Sequence, residues 1–496
     1  MRRTAAVAFA LLSLTAVVRG ATPEDSVVRV FATLRLPNPV RPWAKQNPVE
    51  VFGTGVVLDG KHVLTNAHIV LYASEVFVQG RQGGDRVPAK VASIGPEIDL
   101  ATLTPDDPSF LEKRPPIPRA PGRPATNAAV SVLGFPVNGS GLAVTRGVVS
   151  RIDYAPYNAS ADGLRLQIDA NVEFGNSGGP ALVDGKMVGL VFRKAQNVGF
   201  VIPNEEIDAY LDDVKDGKYD GKLRVTDHFQ PMVNEGLRKK LGLARGDRGI
   251  MVTKPGQDGP AYPLREGDVL THFGGVAVDN EGLVDFDGDL RLPFTSLLSK
   301  APKGGAVPVR LIRDGKPVEA ALPTTREDDR VIRSYRGQHP PYFVHGPLVF
   351  SPALEQALPY YAQGNPLAVA GGPLESRGGD RRKFPGEELV VVTAPLLAHP
   401  IARGYAEPFG QVVKDVDGAP VRNLKHLVEL LRDARGEFLT LRFHGDYCET
   451  LVFVRKAIDD ATPDLMSENG IAKRGSDDLM AVWGGKGGGA ADAKAP

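Results

Sequence analysis

The sequence predicts a mainly β chain of several domains, and three observations carry that prediction. Glycine and proline number 56 and 41 in 496 residues, against average usage of roughly 7% and 5%. The runs between them are short and valine-rich, as in A-V-S-V-L-G-F at 129–135, L-A-V-T-R-G-V-V-S-R-I at 142–152 and L-R-L-Q-I-D-A at 164–170. Runs of this kind read as strands bounded by turns. Turn dipeptides also fall between apolar runs: Asp59-Gly60 follows V-F-G-T-G-V-V-L, and Asp184-Gly185 precedes K-M-V-G-L-V-F. Each signals a tight hairpin. Many short strands over residues 26–203 predict a barrel or sandwich rather than βαβ units. At this length about three domains are expected.

Composition excludes several function classes. Lys plus Arg and Asp plus Glu both number 59, so net charge is zero and nothing invites nucleic acid or an anionic membrane. Cys448 is the only cysteine, which rules out an internal disulfide and a cysteine-rich zinc cluster. The acidic D-F-D-G-D at 285–289 lacks the remaining spacing and terminal glutamate of a calcium loop. It reads as a solvated loop, and no metal or cofactor is predicted. Arg2 and Arg3 precede a mainly apolar run from Ala5 to Val18, followed by V-R-G-A. This is the pattern of a secretory signal peptide, and the run is too short to cross about 30 Å of hydrocarbon comfortably. Residues 1–20 are therefore expected to be removed, leaving an exported chain with no stable membrane span.

Further along, the period changes. In N-E-E-I-D-A-Y-L-D-D-V-K, residues Ile207, Tyr210, Leu211 and Val214 fall at helical spacing with Asn204 as the expected N-cap. This helix is expected to close a first domain. Downstream lies an internal repeat: G-D-V-L-T-H-F-G-G-V-A-V-D-N from Gly267 and G-Q-V-V-K-D-V-D-G-A-P-V-R-N from Gly410. It pairs Gly275 with Gly418, Val278 with Val421 and Asn280 with Asn423. L-K-H-L-V-E-L-L after the second copy reads as an amphipathic helix. Two similar modules are the simplest account. The glycine-rich end has too little apolar content to fold.

The chemistry centres on E-F-G-N-S-G-G-P-A-L at 173–182. A serine nucleophile needs a base within reach and a third group holding that base in the right tautomer. His68 in V-L-T-N-A-H-I-V and Asp99 in P-E-I-D-L-A-T-L precede Ser177, in the chain order of the two-barrel serine proteases.

Together T-N-A-H, D-L-A-T-L and G-N-S-G-G-P resemble the trypsin-fold proteases of the HtrA/Deg family. The likeness continues through V-G-F-V-I-P, K-Y-D-G and both repeat modules, which resemble PDZ domains. N-L-K-H-L and P-D-L-M-S-E-N-G-I-A look like the plant-type Deg branch with two PDZ-like domains. The resemblance implies a two-β-barrel protease domain over 25–216 and PDZ-like α+β domains over 222–325 and 340–457. A tail over 458–496, disordered at its end, would come last.

By the same resemblance Ser177 is the nucleophile, His68 the general base and Asp99 its orienting acid. Gly175, Asn176 and Ser177 form the oxyanion hole. Asn176 stands where digestive relatives carry an aspartate that pairs with a new N-terminus, so order and disorder of this loop is the expected switch. Relatives usually read I-N-P-G where this chain has V-E-F-G, so Glu173 and Phe174, with Val191 and Phe192, are the expected substrate pocket. R-G-I-M-V at 248–252 is read as the loop capturing peptide C-termini, through Gly249, Ile250 and Met251. The implied function is an ATP-independent serine endopeptidase acting on unfolded or damaged proteins. It would assemble as a homo-oligomer in trimers or multiples of them, with P-N-P-V-R-P-W-A-K as a candidate contact loop. The competing reading is a chaperone or peptide-binding scaffold with a dormant protease domain.

Overall fold

The computed structural model describes residues 22–485 apart from 82, 138, 140, 159–160, 196–197, 289, 302–304, 336 and 446–447. The expected signal peptide and the extreme C-terminus lie outside the described residues. From Val27 to Pro203 the strands close on themselves twice. β1 (Val27–Leu34), β2 (Val49–Val57), β3 (Val63–Thr65), β4 (Ala73–Gly80), β5 (Val87–Gly95) and β6 (Leu100–Pro105) form a barrel in the order β1-β2-β3-β6-β5-β4. β7 (Ala129–Gly134), β8 (Ala143–Asn158), β9 (Ala161–Asp169), β10 (Pro180–Val183), β11 (Lys186–Ala195) and β12 (Val198–Pro203) form a second, in the order β10-β11-β12-β9-β8-β7. Closure gives each strand of the two barrels a neighbour on both sides. The hairpin at Asp184-Gly185 shows how local chemistry sets register. Both residues take positive φ, 49° and 72°, as a two-residue turn of this class requires, and Val183 faces Lys186.

Alternating apolar residues fill each barrel, with Val28, Val30, Val78 and Leu103 in the first and Val132, Val149, Leu166 and Val201 in the second. A further layer joins them: Leu64 and Leu100 of the first barrel meet Leu133, Leu190 and Ile202 of the second. The helix Asn204–Asp213 covers this seam with Ile207 and Tyr210. Asn204 is the first helical residue rather than the cap, and its side-chain amide donates to the carbonyls of Ala120 and Met187. A partnerless cap position was traded for a buried tertiary crosslink.

Two further units complete the chain. The first contains β13 (His228–Pro231), β14 (Ile250–Lys254), β15 (Val269–Phe273), β16 (Val276–Ala277), β17 (Leu283–Phe286), β18 (Leu290–Pro293), β19 (Ala306–Arg313) and β20 (Lys316–Pro323). Its main sheet runs β13-β14-β15-β19-β20. The second contains β21 (Phe343–His345), β22 (Leu348–Pro352), β23 (Val390–Val392), β24 (Val413–Val416), β25 (Ala419–Pro420), β26 (Phe438–Phe443) and β27 (Leu451–Val454), in sheets β21-β22-β23 and β25-β24-β26-β27. The repeated sequence folds alike in both at the β15–β16 and β24–β25 hairpins. The copies then part. Asn423 caps the helix Leu424–Asp433 by accepting from the His426 N–H at 2.8 Å, whereas Asn280 is followed by the β17–β18 hairpin. Leu424, Leu427, Val428 and Leu431 give the second copy a buried helical stripe, and no such period comes after Asn280. At the hairpin tip Asp287 pairs with Lys300 and with Arg123 of the protease domain, so the acidic loop is held by cations of this chain.

Two expectations change. The segment from 458 is not simply a tail: the helices Arg455–Glu468 and Asp477–Trp483 place Ile458, Leu479 and Val482 in the same core as Leu427 and Leu441. Between them the chain runs beside β21, where the Val344 N–H donates to the Arg474 carbonyl at 2.7 Å. The loop holding Trp43, a candidate contact between subunits, packs within its own chain. Trp43 lies 6.4 Å from the Tyr342 ring, and the Pro39 carbonyl accepts from Thr393 Oγ1 at 2.9 Å.

Leu479→Ala therefore leaves a cavity in a closed core. Urea unfolding should show a loss of about 2–5 kcal/mol in the transition that reports on this unit.

Candidate active site

The site sits at the seam between the barrels. After β3 the chain makes a single helical turn, Ala67–Val70, that presents His68. Asp99 ends the turn between β5 and β6 in the left-handed region, with φ 55°, a conformation aspartate tolerates better than most residues. Asp99 is 4% exposed. Its Oδ1 accepts from the His68 backbone N–H at 2.8 Å, and its Oδ2 lies 2.7 Å from His68 Nδ1. Asn66 Nδ2 donates to the Asp99 carbonyl at 2.9 Å, fixing the backbone that carries the carboxylate. A carboxylate on Nδ1 holds its proton there and leaves Nε2 free to accept one. Enclosure on the Asp99 side pulls the imidazole pKa down, while the charge and hydrogen bond of Asp99 raise it by more, so it lies above the ordinary value.

The loop 173–179 reaches Ser177 from the second barrel and is clamped by the first. Thr54 on β2 does most of this: its N–H donates to the Ser177 carbonyl at 2.8 Å, its Oγ1 donates to the Gly175 carbonyl at 2.7 Å, and the Phe135 N–H donates to that Oγ1 at 3.0 Å. Gly178 lies so close that a Cβ there would sit 1.9 Å from the Thr54 carbonyl and 2.6 Å from Thr65 Oγ1, at φ 85°. Thr65 stands three residues before His68, which is how Ser177 comes to the imidazole. Among the described residues no hydrogen bond closes between Ser177 and His68, a contact that often tightens only when substrate binds.

The amide geometry of the loop is specific. The Asn176 N–H donates to the Glu173 carbonyl at 3.1 Å and Gly175 has φ 97°, the features of a type II turn with glycine in its third place. The Phe174 carbonyl accepts from the Val137 N–H at 2.8 Å. In a trans peptide C=O and N–H point oppositely, so the Gly175 N–H is turned away from Val137. Neither it nor the Ser177 N–H is engaged among the described backbone bonds. Asn176 is 2% exposed, and its Oδ1 has no partner among the described residues.

Residues 53–190 match the trypsin-like peptidase domain family, and residues 332–478 match the PDZ domain family. Protease Do-like 2, chloroplastic, of Arabidopsis thaliana is 30% identical over 92% of this chain and 75% of its own length. The chain belongs to the Do-like serine proteases of the HtrA/Deg family. Another Do-like relative, protease Do-like 4, mitochondrial, also of Arabidopsis thaliana, is 32% identical over 85% of this chain and 79% of its own. Among solved structures, HtrA-type protease AlgW with decapeptide is 22% identical over 62% of this chain and 96% of its own, with a TM-score of 0.47. Among the described residues no helix is long and apolar enough to cross a membrane.

For a Do-like protease the expected pocket is rearranged here. Glu173 is half-buried, and Phe174 projects to solvent with 81% exposure. Val191 and Phe192 are not lining an open pocket. Val191 is in the second barrel's core, and Phe192 stacks edge-on against Tyr157 at 5.1 Å. Their run of apolar residues reflects core demand on both faces of β11. Sequence reasoning missed Thr54, Thr65 and Asn66, whose only signal was a hydroxyl or amide inside an otherwise apolar stretch. It also missed Arg193, Lys194 and Ala195. Those three are exposed, and β10 pairs with β11 only as far as Pro180 opposite Leu190.

The peptide-capture assignment is corrected as well. Ile250 and Met251 pair with Pro231 and Gln230 of β13 on one side and with Leu270 and Val269 of β15 on the other. Strand addition needs an unpaired edge, and β14 has none there. Gly249 instead lets the chain pass Leu270, whose carbonyl lies 2.4 Å from where a Cβ would be. The sheet ends at β13.

This geometry has three testable outcomes. Gly178→Ala should abolish fluorophosphonate labelling of a folded protein, because the added carbon displaces the Thr54 contact. With His68 in the role of base proposed below, kcat/KM should fall in a pH series as pH drops through a pKa above about 6.5, since a protonated imidazole cannot accept a proton. Asp99→Asn should shift that limb to lower pH while cutting kcat by about four orders of magnitude.

Proposed function

We propose that His68, Asp99 and Ser177 form the catalytic triad, with the Gly175 and Ser177 N–H groups as the oxyanion hole. The observation that carries this reading is the peptide between Phe174 and Gly175, whose carbonyl accepts from the Val137 N–H, while the Gly175 and Ser177 N–H groups have no partner among the described backbone bonds. Ser177 Oγ bonds to the scissile carbonyl carbon as its proton passes to His68 Nε2, and the developing oxyanion is held by the two amides. Losing such a donor costs about 3–4 kcal/mol. His68 then returns the proton to the leaving amine as the C–N bond breaks. Water, deprotonated by the same imidazole, releases the acyl group and restores Ser177. An extended substrate would lie along residues 192–195 of β11, with Phe174 beside the scissile bond.

The substrates in this reading are unfolded or damaged proteins, cleaved without ATP by an exported chain working as a homo-oligomer. Trimers or multiples of trimers, and a periplasmic location in a bacterium, belong to the same proposal. Peptide C-termini would add at the outer edge of β13 rather than at Gly249–Met251. Digestion of casein and labelling by a fluorophosphonate, wild type against Ser177→Ala, tests the assignment. The wild type should show both and the variant neither. Labelling that persists in the variant removes Ser177 as nucleophile. No cleavage by the wild type under any heating or peptide condition favours the dormant scaffold.

A further inference from the structure

We propose that Glu97 and Arg224 are a positioning pair, through which the placement of the first PDZ-like unit sets the orientation of Asp99 against His68. The proposal rests on the triad reading above. Glu97 lies two residues before Asp99 in the turn between β5 and β6 and is 3% exposed. Its carboxylate accepts from Arg224 Nη2 at 3.1 Å. Arg224 belongs to the segment that leaves the protease domain, and its backbone exchanges two hydrogen bonds with Thr325, at 2.8 and 3.0 Å. Thr325 lies just past β20. A continuous path therefore runs from the PDZ-like sheet through Thr325, Arg224 and Glu97 to Asp99.

The same turn is held from its other side. Gly337, in the segment leaving the first PDZ-like unit, has its would-be Cβ 3.0 Å from Leu71 and 3.8 Å from Pro96. Tyr72 Oη donates to the Gln338 carbonyl at 3.1 Å. Leu71 and Tyr72 come directly after the turn that presents His68. The segments entering and leaving this unit thus grip the two pieces of chain that carry the base and its acid. Asp99 is also in the left-handed region, with φ 55°.

A nearly buried ion pair is a poor stabiliser, because an apolar pair of similar volume often serves as well. Its contribution is a fixed distance and direction between two segments. Placed two residues from Asp99, that constraint falls on the His68–Asp99 geometry.

The test uses the full chain with Glu97→Gln, Arg224→Gln and the double variant, measuring peptide hydrolysis, fluorophosphonate labelling and thermal melting. Each single variant should lower kcat about tenfold with KM within about twofold. The acid limb of kcat/KM should move to lower pH, because a loosened Asp99 stabilises the imidazolium less. The double variant should be no worse than the worse single, and Arg224→Lys should recover part of the loss. Wild-type kcat and acid limb in the singles overturn the proposal even if melting temperatures fall, since that leaves only a structural tie. Additive losses overturn it too. If a single variant does not fold, Glu97→Leu with Arg224→Met replaces both charges by apolar bulk, and wild-type kcat there is equally fatal. Hydrolysis by Ser177→Ala would instead sink the triad reading.

Discussion

The structure depends on Thr54. One residue on a strand of the first barrel binds the Gly175 carbonyl, the Ser177 carbonyl and the Phe135 amide of the second. A buried hydroxyl is costly unless satisfied, and here it donates to the Gly175 carbonyl of the 173–179 loop and accepts from the Phe135 N–H directly after β7. The glycines around it reflect the same approach. Gly178 leaves room for the Thr54 carbonyl, and Gly53 leaves room for Ile69 and the Ser177 carbonyl. Ser177 is therefore positioned by contacts across the seam rather than by the loop's own stiffness.

The seam has a second level of organisation at its periphery. Lys222 pairs with Glu206 at 2.8 Å and Arg224 with Glu97 at 3.1 Å, both carboxylates being 4% exposed in their side chains. Charged contacts of this kind add little net stability over an apolar pair of similar volume. They sit where the chain passes from the barrels to the first PDZ-like unit, so the protease domain and that unit meet in a defined register. On the other flank the Pro39 and Trp43 loop meets the last unit through Thr393 and Tyr342. The protease domain is thus contacted from two directions by its own chain.

The PDZ-like units illustrate how one sequence pattern can serve two structural ends. Their shared hairpins are dictated locally by glycine and aspartate at positive φ, as at Asp417 and Gly418 with φ of 51° and 85°. The structure beyond each hairpin depends on the next residues in the chain, a helical stripe in one and a second hairpin in the other. In the last unit the segment around Arg474 lies on the edge of β21, so that edge is already paired from within.

The sequence by itself determined the β class, the hairpin at Asp184-Gly185, the seam helix and the motifs around His68, Asp99 and Ser177. Each of these is written in a local signal: a period of two or of 3.6, a turn dipeptide, or a motif around a reactive side chain. Tertiary structure alone decided which glycine serves a turn and which serves a close approach, as Gly249 and Gly178 show. It also turned Phe192 into the core and Phe174 to solvent, though the two had looked equivalent as apolar residues near Ser177. It folded the segment after 458 onto a core that Leu427 and Leu441 could not close alone. The physical reason is common to all three. Whether a strand edge is free, an apolar side chain exposed or a helix anchored depends on partners far away in the chain, and no local pattern records them.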